Sequence, residues 1–206
     1  MAGMFLSFEG IDGSGKSTQA RLLAEALRAR GMRVTLTREP GGSAGAEEIR
    51  RLVLEGAADR WSTETELLLF TAARRDHLEK TIRPALARGE VVICDRFADS
   101  SRIYQGLTRG DLRGTVDALH DLMIGVEPDL TFLIDIDPGL GLRRAIARAG
   151  SEMRFEGMGL GFLEKARAGF LALATASPQR FRIIDGTGAA EDVAQAVTAT
   201  ALAHLP

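Results

Sequence analysis

Eight residues near the start of the chain, Gly10-Ile11-Asp12-Gly13-Ser14-Gly15-Lys16-Ser17, satisfy the pattern G-x-x-x-x-G-K-[ST] at every fixed position. Its glycines let the backbone wrap so that successive N–H groups converge on a phosphate chain. Lys16 is then placed to reach the β- and γ-phosphates, and the Ser17 hydroxyl to ligate Mg²⁺. A helix beginning near Lys16, with Thr18 in its first turn, directs its positive end at the same anion. The flanks agree. Met4–Glu9 (MFLSFE) reads as an apolar strand, and residues 16–30 repeat Ala20, Leu23, Ala24 and Leu27 at helical spacing before Gly31. Together these features point to a nucleotide-phosphate site, while motors, GTPases and small-molecule kinases all share such a loop. No N-K-x-D sequence, the guanine-reading element of GTPases, occurs in the chain.

Short apolar runs alternate with helical stretches along the remaining sequence, the pattern of βα units and a parallel sheet. Further strands are predicted at 33–37 (RVTLT), 91–94 (VVIC), 130–136 (LTFLIDI) and 181–184 (FRII). Helical stretches run over 63–88, with Pro84 expected to kink or break the helix, and over 111–125. The expected architecture is a single α/β domain over 1–206 with the P-loop NTPase fold, a five-stranded parallel sheet with helices on both faces. Phosphates would sit at the carboxyl ends of the strands. Between the last two strands lie two helices joined by 150–161, which carries Gly150, Gly157, Gly159 and Gly161, charged residues and no apolar periodicity. This composition predicts a mobile lid around 148–161.

Asp95 ends a buried strand where a carboxylate could hold Mg²⁺ through water; Asp135 competes for that role. Asp95 is preferred because Arg96 follows it, and a mixed-charge pair beside phosphates suits phosphoryl transfer. A formal net charge of -2 provides no footprint for a nucleic-acid polymer. The single cysteine, Cys94, excludes an intrachain disulfide, fits a reducing compartment and reads as a small core residue. His77 reads as a surface residue and Trp61 as a cap on loop packing. No apolar run approaches the roughly 20 residues needed to span a bilayer, and no signal-peptide layout is seen, which makes a cytoplasmic location the expectation.

Three further blocks carry a family resemblance. Phe8-Glu9-Gly10-Ile11-Asp12-Gly13, then Arg38-Glu39-Pro40-Gly41-Gly42, then Asp95-Arg96-Phe97 leading to Ser100-Ser101-Arg102-Ile103-Tyr104-Gln105-Gly106 resemble the thymidylate kinases. The family forms are FEGxDGxGKST, REPGG and DRYxxSxxAYQG, and the similarity runs from about residue 4 to 185. The resemblance implies ATP-dependent phosphorylation of dTMP to dTDP with Mg²⁺, by a homodimer that acts on small nucleotides and on no membrane. It assigns Arg50 and Arg96 to the dTMP phosphate, which a planar guanidinium fork suits. Arg51 lies beside Arg50, and helix facing does not separate the two. Phe70 matches the ring that stacks on thymine, and Arg74, four residues on, the donor to a base carbonyl. Ser101 and Gln105 match residues near the base and the sugar, Tyr104 lies against the deoxyribose, and Ser100 belongs to the same dTMP-binding block. Asp12 matches the carboxylate near the sugar 3′-hydroxyl, and Glu39 with Pro40 the loop that orients these arginines.

The cradle itself contains no arginine, so the resemblance assigns the extra positive charge on the migrating phosphoryl group to the lid. Candidates are Arg144, Arg148 and Arg154. Arg154-Phe155-Glu156 is similar to the family's D-R-F-E element, and Arg148 matches an arginine that packs on adenine. Met153 stands where the family has Asp, and Arg102-Ile103 replace a small and an apolar residue, which is expected to reshape the sugar edge of the pocket. The alternatives are a kinase for another nucleoside or nucleoside monophosphate and, from a different class, a nucleotide-binding switch that phosphorylates no small molecule.

Overall fold

Alternation along the first strand shows how the chain is layered. In β1 (Met4–Glu9), Leu6 and Phe8 face one side of the sheet and Phe5 the other, yet all three are buried. A strand apolar on both sides belongs in the middle of a sheet covered on both faces. The computed structural model, which describes residues 3–57, 59–108, 110–148 and 159–205, puts it there. β2 (Val34–Arg38), β3 (Val91–Asp95), β4 (Leu130–Asp135) and β5 (Phe181–Asp185) complete a parallel five-stranded sheet of order β2-β3-β1-β4-β5.

On one face α1 (Lys16–Arg28) and α9 (Ala190–Leu202) pack side by side over Leu6, Phe8, Ile93, Phe132 and Ile134. Leu23, Leu27, Val193 and Val197 are their buried contributions, at the four-residue spacing that puts side chains on one helical face. The opposite face carries two clusters. Phe5, Val92 and Cys94 are covered by Leu78, Ile82, Ala85, Phe97 and Ile124. Ile103 of α5 (Ala98–Ile103), Leu133 and Phe181 meet Leu163, Ala166, Phe170 and Leu173 of α8 (Gly159–Ala176). Deep in the sheet, Ser7 and Thr131 satisfy each other across β1 and β4 at 2.8 Å.

The expected elements all form. The helix predicted over 63–88 is α3 (Thr63–His77), a π-helical turn over Leu78–Ile82, and α4 (Arg83–Ala87) with Pro84 in its first turn. Pro84 therefore begins a helix, where its missing N–H is no loss, and the wide turn before it absorbs the misfit. Three helices were not anticipated: α2 (Ala44–Leu54), α5 and α9. α6 is Arg113–Met123, and α7 (Pro138–Arg148) leads towards the expected lid, whose residues 149–158 lie outside the described part. Among the described residues no helix is long and apolar enough to cross a membrane.

Candidate active site

The carboxyl ends of β1 and β3 and the loops that follow them build the site. The cradle turns through Gly10, Gly13 and Gly15, all at positive φ. At Gly13 (φ 78°) a Cβ would lie 2.1 Å from the Gly141 carbonyl oxygen, so the cradle can touch α7 only because neither residue has a side chain there. Gly15 (φ 95°) precedes α1 in left-handed conformation and gives no side-chain cap. The first N–H groups of α1 are thereby left for an anion. Ser14 packs inside the loop with its hydroxyl buried and unpartnered, and Thr18 is exposed in the first turn.

Lys16 is buried, and its ammonium donates to the Ile11 carbonyl at 2.8 Å. Burial, then the Arg96 cation, push it down to about 8, against the pull of Asp12, Asp95 and Glu9. Ser17, exposed one residue on, donates its hydroxyl to Asp95 Oδ2. The other Asp95 oxygen, Oδ1, is buried without a partner. A hydroxyl and an acceptor with spare lone pairs, side by side at the phosphate cradle, fit Mg²⁺. Asp135, the alternative, is occupied by Arg167 of α8 at 2.7 and 2.8 Å, in the two-pronged geometry of a structural ion pair. Among the described residues no cluster of three potential metal-ligating side chains forms, so phosphate and water would supply most magnesium ligands.

Facing the cradle is Arg96, the one described non-glycine residue with positive φ (71°). Its N–H donates to Phe8 at 2.9 Å, and its guanidinium reaches Asp12 of the cradle, Ser100 at 3.2 Å and the Tyr104 hydroxyl at 3.5 Å. The Tyr104 ring lies 5.3 Å below the guanidinium and stacks on Phe162 of α8. Burial raises the Tyr104 phenol above its usual range, keeping the hydroxyl that accepts from Arg96 neutral. Asp12 therefore links the two halves of the site.

A second chain of buried polar groups backs the first. Glu39 accepts from Arg74 Nε at 2.7 Å and pairs with His77 at 3.1 Å, and His77 meets Thr37 at 2.7 Å. Burial would raise the Glu39 carboxyl, yet Arg74 and His77 outweigh it and hold the group below the usual carboxylate range. Arg74 also donates to Ser101 at 3.1 Å and to the Phe97 carbonyl at 3.2 Å. The Glu39 N–H bonds the Asp95 carbonyl at 2.9 Å, tying this loop to the end of β3. Arg50 donates to the Pro40 carbonyl at 2.6 Å, whereas Arg51 is exposed, which separates the two arginines. Phe70 is half-buried one turn before Arg74, and Gln105 donates to buried Glu66 at 2.8 Å.

Two expectations are corrected. His77 is wholly buried, because Glu39 and Thr37 satisfy both ring nitrogens. Arg102 does not edge a sugar pocket; it turns away to Asp99, Asp117 and Glu127, and Ile103 enters the core beneath α8. Arg144 is exposed on α7 and donates to the Gly186 carbonyl at 3.3 Å. The side chain of Arg148 and all of Arg154 lie outside the described residues. Sequence reasoning missed Glu9, Glu66 and Arg167. Glu9 had left a signal, a charge inside an apolar strand, which only pairing makes tolerable.

Residues 8–197 match the thymidylate kinase family. The chain belongs to that family. As a thymidylate kinase family member it is 70% identical to a thymidylate kinase from Ruegeria pomeroyi, over 98% of this chain and 96% of the relative. It is 65% identical to one from Dinoroseobacter shibae, with the same coverage. Its fold matches the crystal structure of thymidylate kinase from Ehrlichia chaffeensis with a TM-score of 0.81 at 36% identity, covering 98% of this chain and all of that one.

Proposed function

We propose that this enzyme transfers the γ-phosphoryl group of ATP to dTMP, releasing ADP and dTDP. The observation that carries the reading is the abutment of two anion sites, Lys16 in the cradle and Arg96 opposite it, joined through Asp12. A phosphate oxygen of dTMP attacks the γ-phosphorus while the bond to the ADP oxygen breaks. Such a transfer depends on positioning and on positive charge more than on covalent chemistry. Gly10 to Thr18 hold the ATP phosphates, with Arg144 and Arg148 on the nucleotide's flank. Arg50, Arg96 and Asp12 hold and orient the dTMP phosphate and sugar edge. Ser100 bonds the Arg96 guanidinium on the phosphate side; Phe70, Arg74, Ser101 and Gln105 face the base, with Tyr104, Glu39 and Pro40 fixing that wall. An ADP-release assay across the nucleoside monophosphates tests this, with dTMP expected as the preferred acceptor. Nucleotide binding without dTMP-dependent ADP release would favour the switch reading.

Mg²⁺, held by Ser17 and by Asp95 through water, neutralises charge on the phosphates when bound. Asp95→Asn is expected to raise the magnesium concentration for half-maximal rate by roughly tenfold or more. Asp135→Asn, which only loosens the Arg167 pair, should leave it within about twofold. Equal responses would remove Asp95 from the metal site. Arg154 supplies the lid cation on the migrating group. Arg154→Ala is expected to cut kcat by roughly 10² with little change in dTMP affinity; an unchanged kcat would pass the role to another arginine. A homodimer in the cytoplasm is part of the same reading. The dimer is supported by the exposed Leu52, Leu68, Leu122 and Met123 on α2, α3 and α6, helices that pack alongside one another.

A further inference from the structure

The buried carboxylate of Glu9 has no place in the scheme so far, yet it sits at the junction of the site's two halves. It ends β1, one residue before the cradle, and is entirely shielded from water. Its Oε1 accepts from the Phe97 N–H at 2.8 Å and the Ser100 N–H at 3.2 Å, and its Oε2 from the Ser100 hydroxyl at 2.7 Å. Phe97 and Ser100 bracket the start of α5, where neither helix propensity nor a side-chain cap explains the turn: Phe97 is the capping residue and provides no cap bond. Glu9 is therefore an N-terminal anchor for α5 supplied from another element, the role a capping side chain fills elsewhere.

The residue just before this turn is Arg96, whose left-handed backbone costs energy unless its neighbours enforce it. Enforcement comes from both sides, through the Arg96 N–H on the Phe8 carbonyl and through Glu9 on Phe97 and Ser100. Ser100, while donating to Glu9, also receives the Arg96 guanidinium at 3.2 Å. One carboxylate thus fixes both the backbone and a side-chain contact of Arg96. Asp99 of the same helix is held from behind by Arg102 at 2.8 Å and by Arg180 at 2.6 and 3.0 Å. α5 is clamped at both ends of its first turn.

We infer that Glu9 is a positioning residue for acceptor-phosphate binding, aiming the Arg96 guanidinium by anchoring the Phe97–Ser100 turn. The inference rests on the reading of Arg96 as the dTMP-phosphate ligand. It differs from a merely structural role in one respect: Glu9 acts on the phosphate end of dTMP and not on the base or sugar.

Calorimetric titration of the Glu9→Gln protein with dTMP and, separately, with thymidine tests it. Gln can still accept from the two N–H groups but presents an amide to the Ser100 hydroxyl. The Kd for dTMP is expected to rise roughly tenfold or more, the scale of one misdirected hydrogen bond to a charged group. Thymidine affinity should stay within about twofold. In an Arg96→Ala background, Glu9→Gln should change dTMP affinity by less than about twofold, since the group it aims is gone. Equal weakening of dTMP and thymidine, or no weakening of either, would overturn the inference. Should Glu9→Gln fail to fold, Glu9→Asp must give the same split, and failure of both to fold would assign Glu9 to stability alone. The underlying reading fails separately: Arg96→Ala would then bind dTMP as the unaltered protein does.

Discussion

Replacing Lys16 by methionine is expected to lower kcat by roughly 10³ and, at neutral pH, to raise the midpoint of thermal unfolding by several degrees. The two effects have one origin. Lys16 is buried, and folding pushes its ammonium from the ordinary value of 10.5 down to about 8, through burial first and the neighbouring Arg96 second. A base whose proton is held less tightly in the folded state than in the unfolded chain costs stability wherever it stays charged. Below pH 8 both states are protonated and the full cost applies, about 3 kcal/mol. Between about pH 8 and 10.5 the unfolded chain binds more protons, so stability rises with pH across that window. Methionine keeps the length and apolar stem, removes the charge, and abolishes that slope. The bound phosphates are what make the cost worthwhile, since a desolvated ammonium interacts with them through a weakly screening medium. Differential scanning calorimetry between pH 7 and 10, beside steady-state kinetics, checks both halves. Loss of activity with lowered stability and an unchanged pH slope would mean that Lys16 carries no such strain.

Arg96→Ala is expected to lower kcat/KM for dTMP by roughly 10³, with the KM for ATP changed less than about threefold. The guanidinium is the group that joins Asp12, Ser100 and Tyr104, and its removal dissolves the acceptor wall while the cradle remains. Backbone conformation separates catalysis from folding at this position. At φ 71° a Cβ is unfavourable and glycine is not. Arg96→Gly should therefore be as inactive as Arg96→Ala but more stable than it by about 1 kcal/mol. Denaturant unfolding of the two variants reads that difference directly. Activity within tenfold of the unaltered protein in either variant would remove Arg96 from the reaction.

The strands and the phosphate cradle were open to reading because their signals are local. MFLSFE before a glycine loop and LTFLIDI further on need no partner to be recognised, and β1 and β4 begin where expected. α9 also carries a local signal, since Val193, Val197 and Ala201 mark one helical face at four-residue intervals. α5 is a different case. Its Asp99, Ser100, Ser101 and Arg102 are all buried, so no apolar periodicity exists, and only distant partners make such a helix possible. His77 follows the same rule: an imidazole in a polar stretch reads as exposed until Glu39 and Thr37 arrive from β2 and its following loop. The family resemblance named Arg74 and Ser101 as base-facing groups, yet not that they bond each other while Glu39 holds Arg74 from behind. Residue types are written in the sequence, whereas buried polar pairing across tens of positions is a property of the fold.

The most direct test is a crystal structure with Mg²⁺ and a bisubstrate analogue that links adenosine to thymidine through a phosphate chain. The cradle around Lys16 should hold the adenosine-side phosphates and Arg96 the thymidine-side phosphate, with the metal on Ser17 and the Asp95 side. A thymidine moiety bound away from Phe70 and Arg74, or a phosphate that leaves Arg96 untouched, would contradict the account.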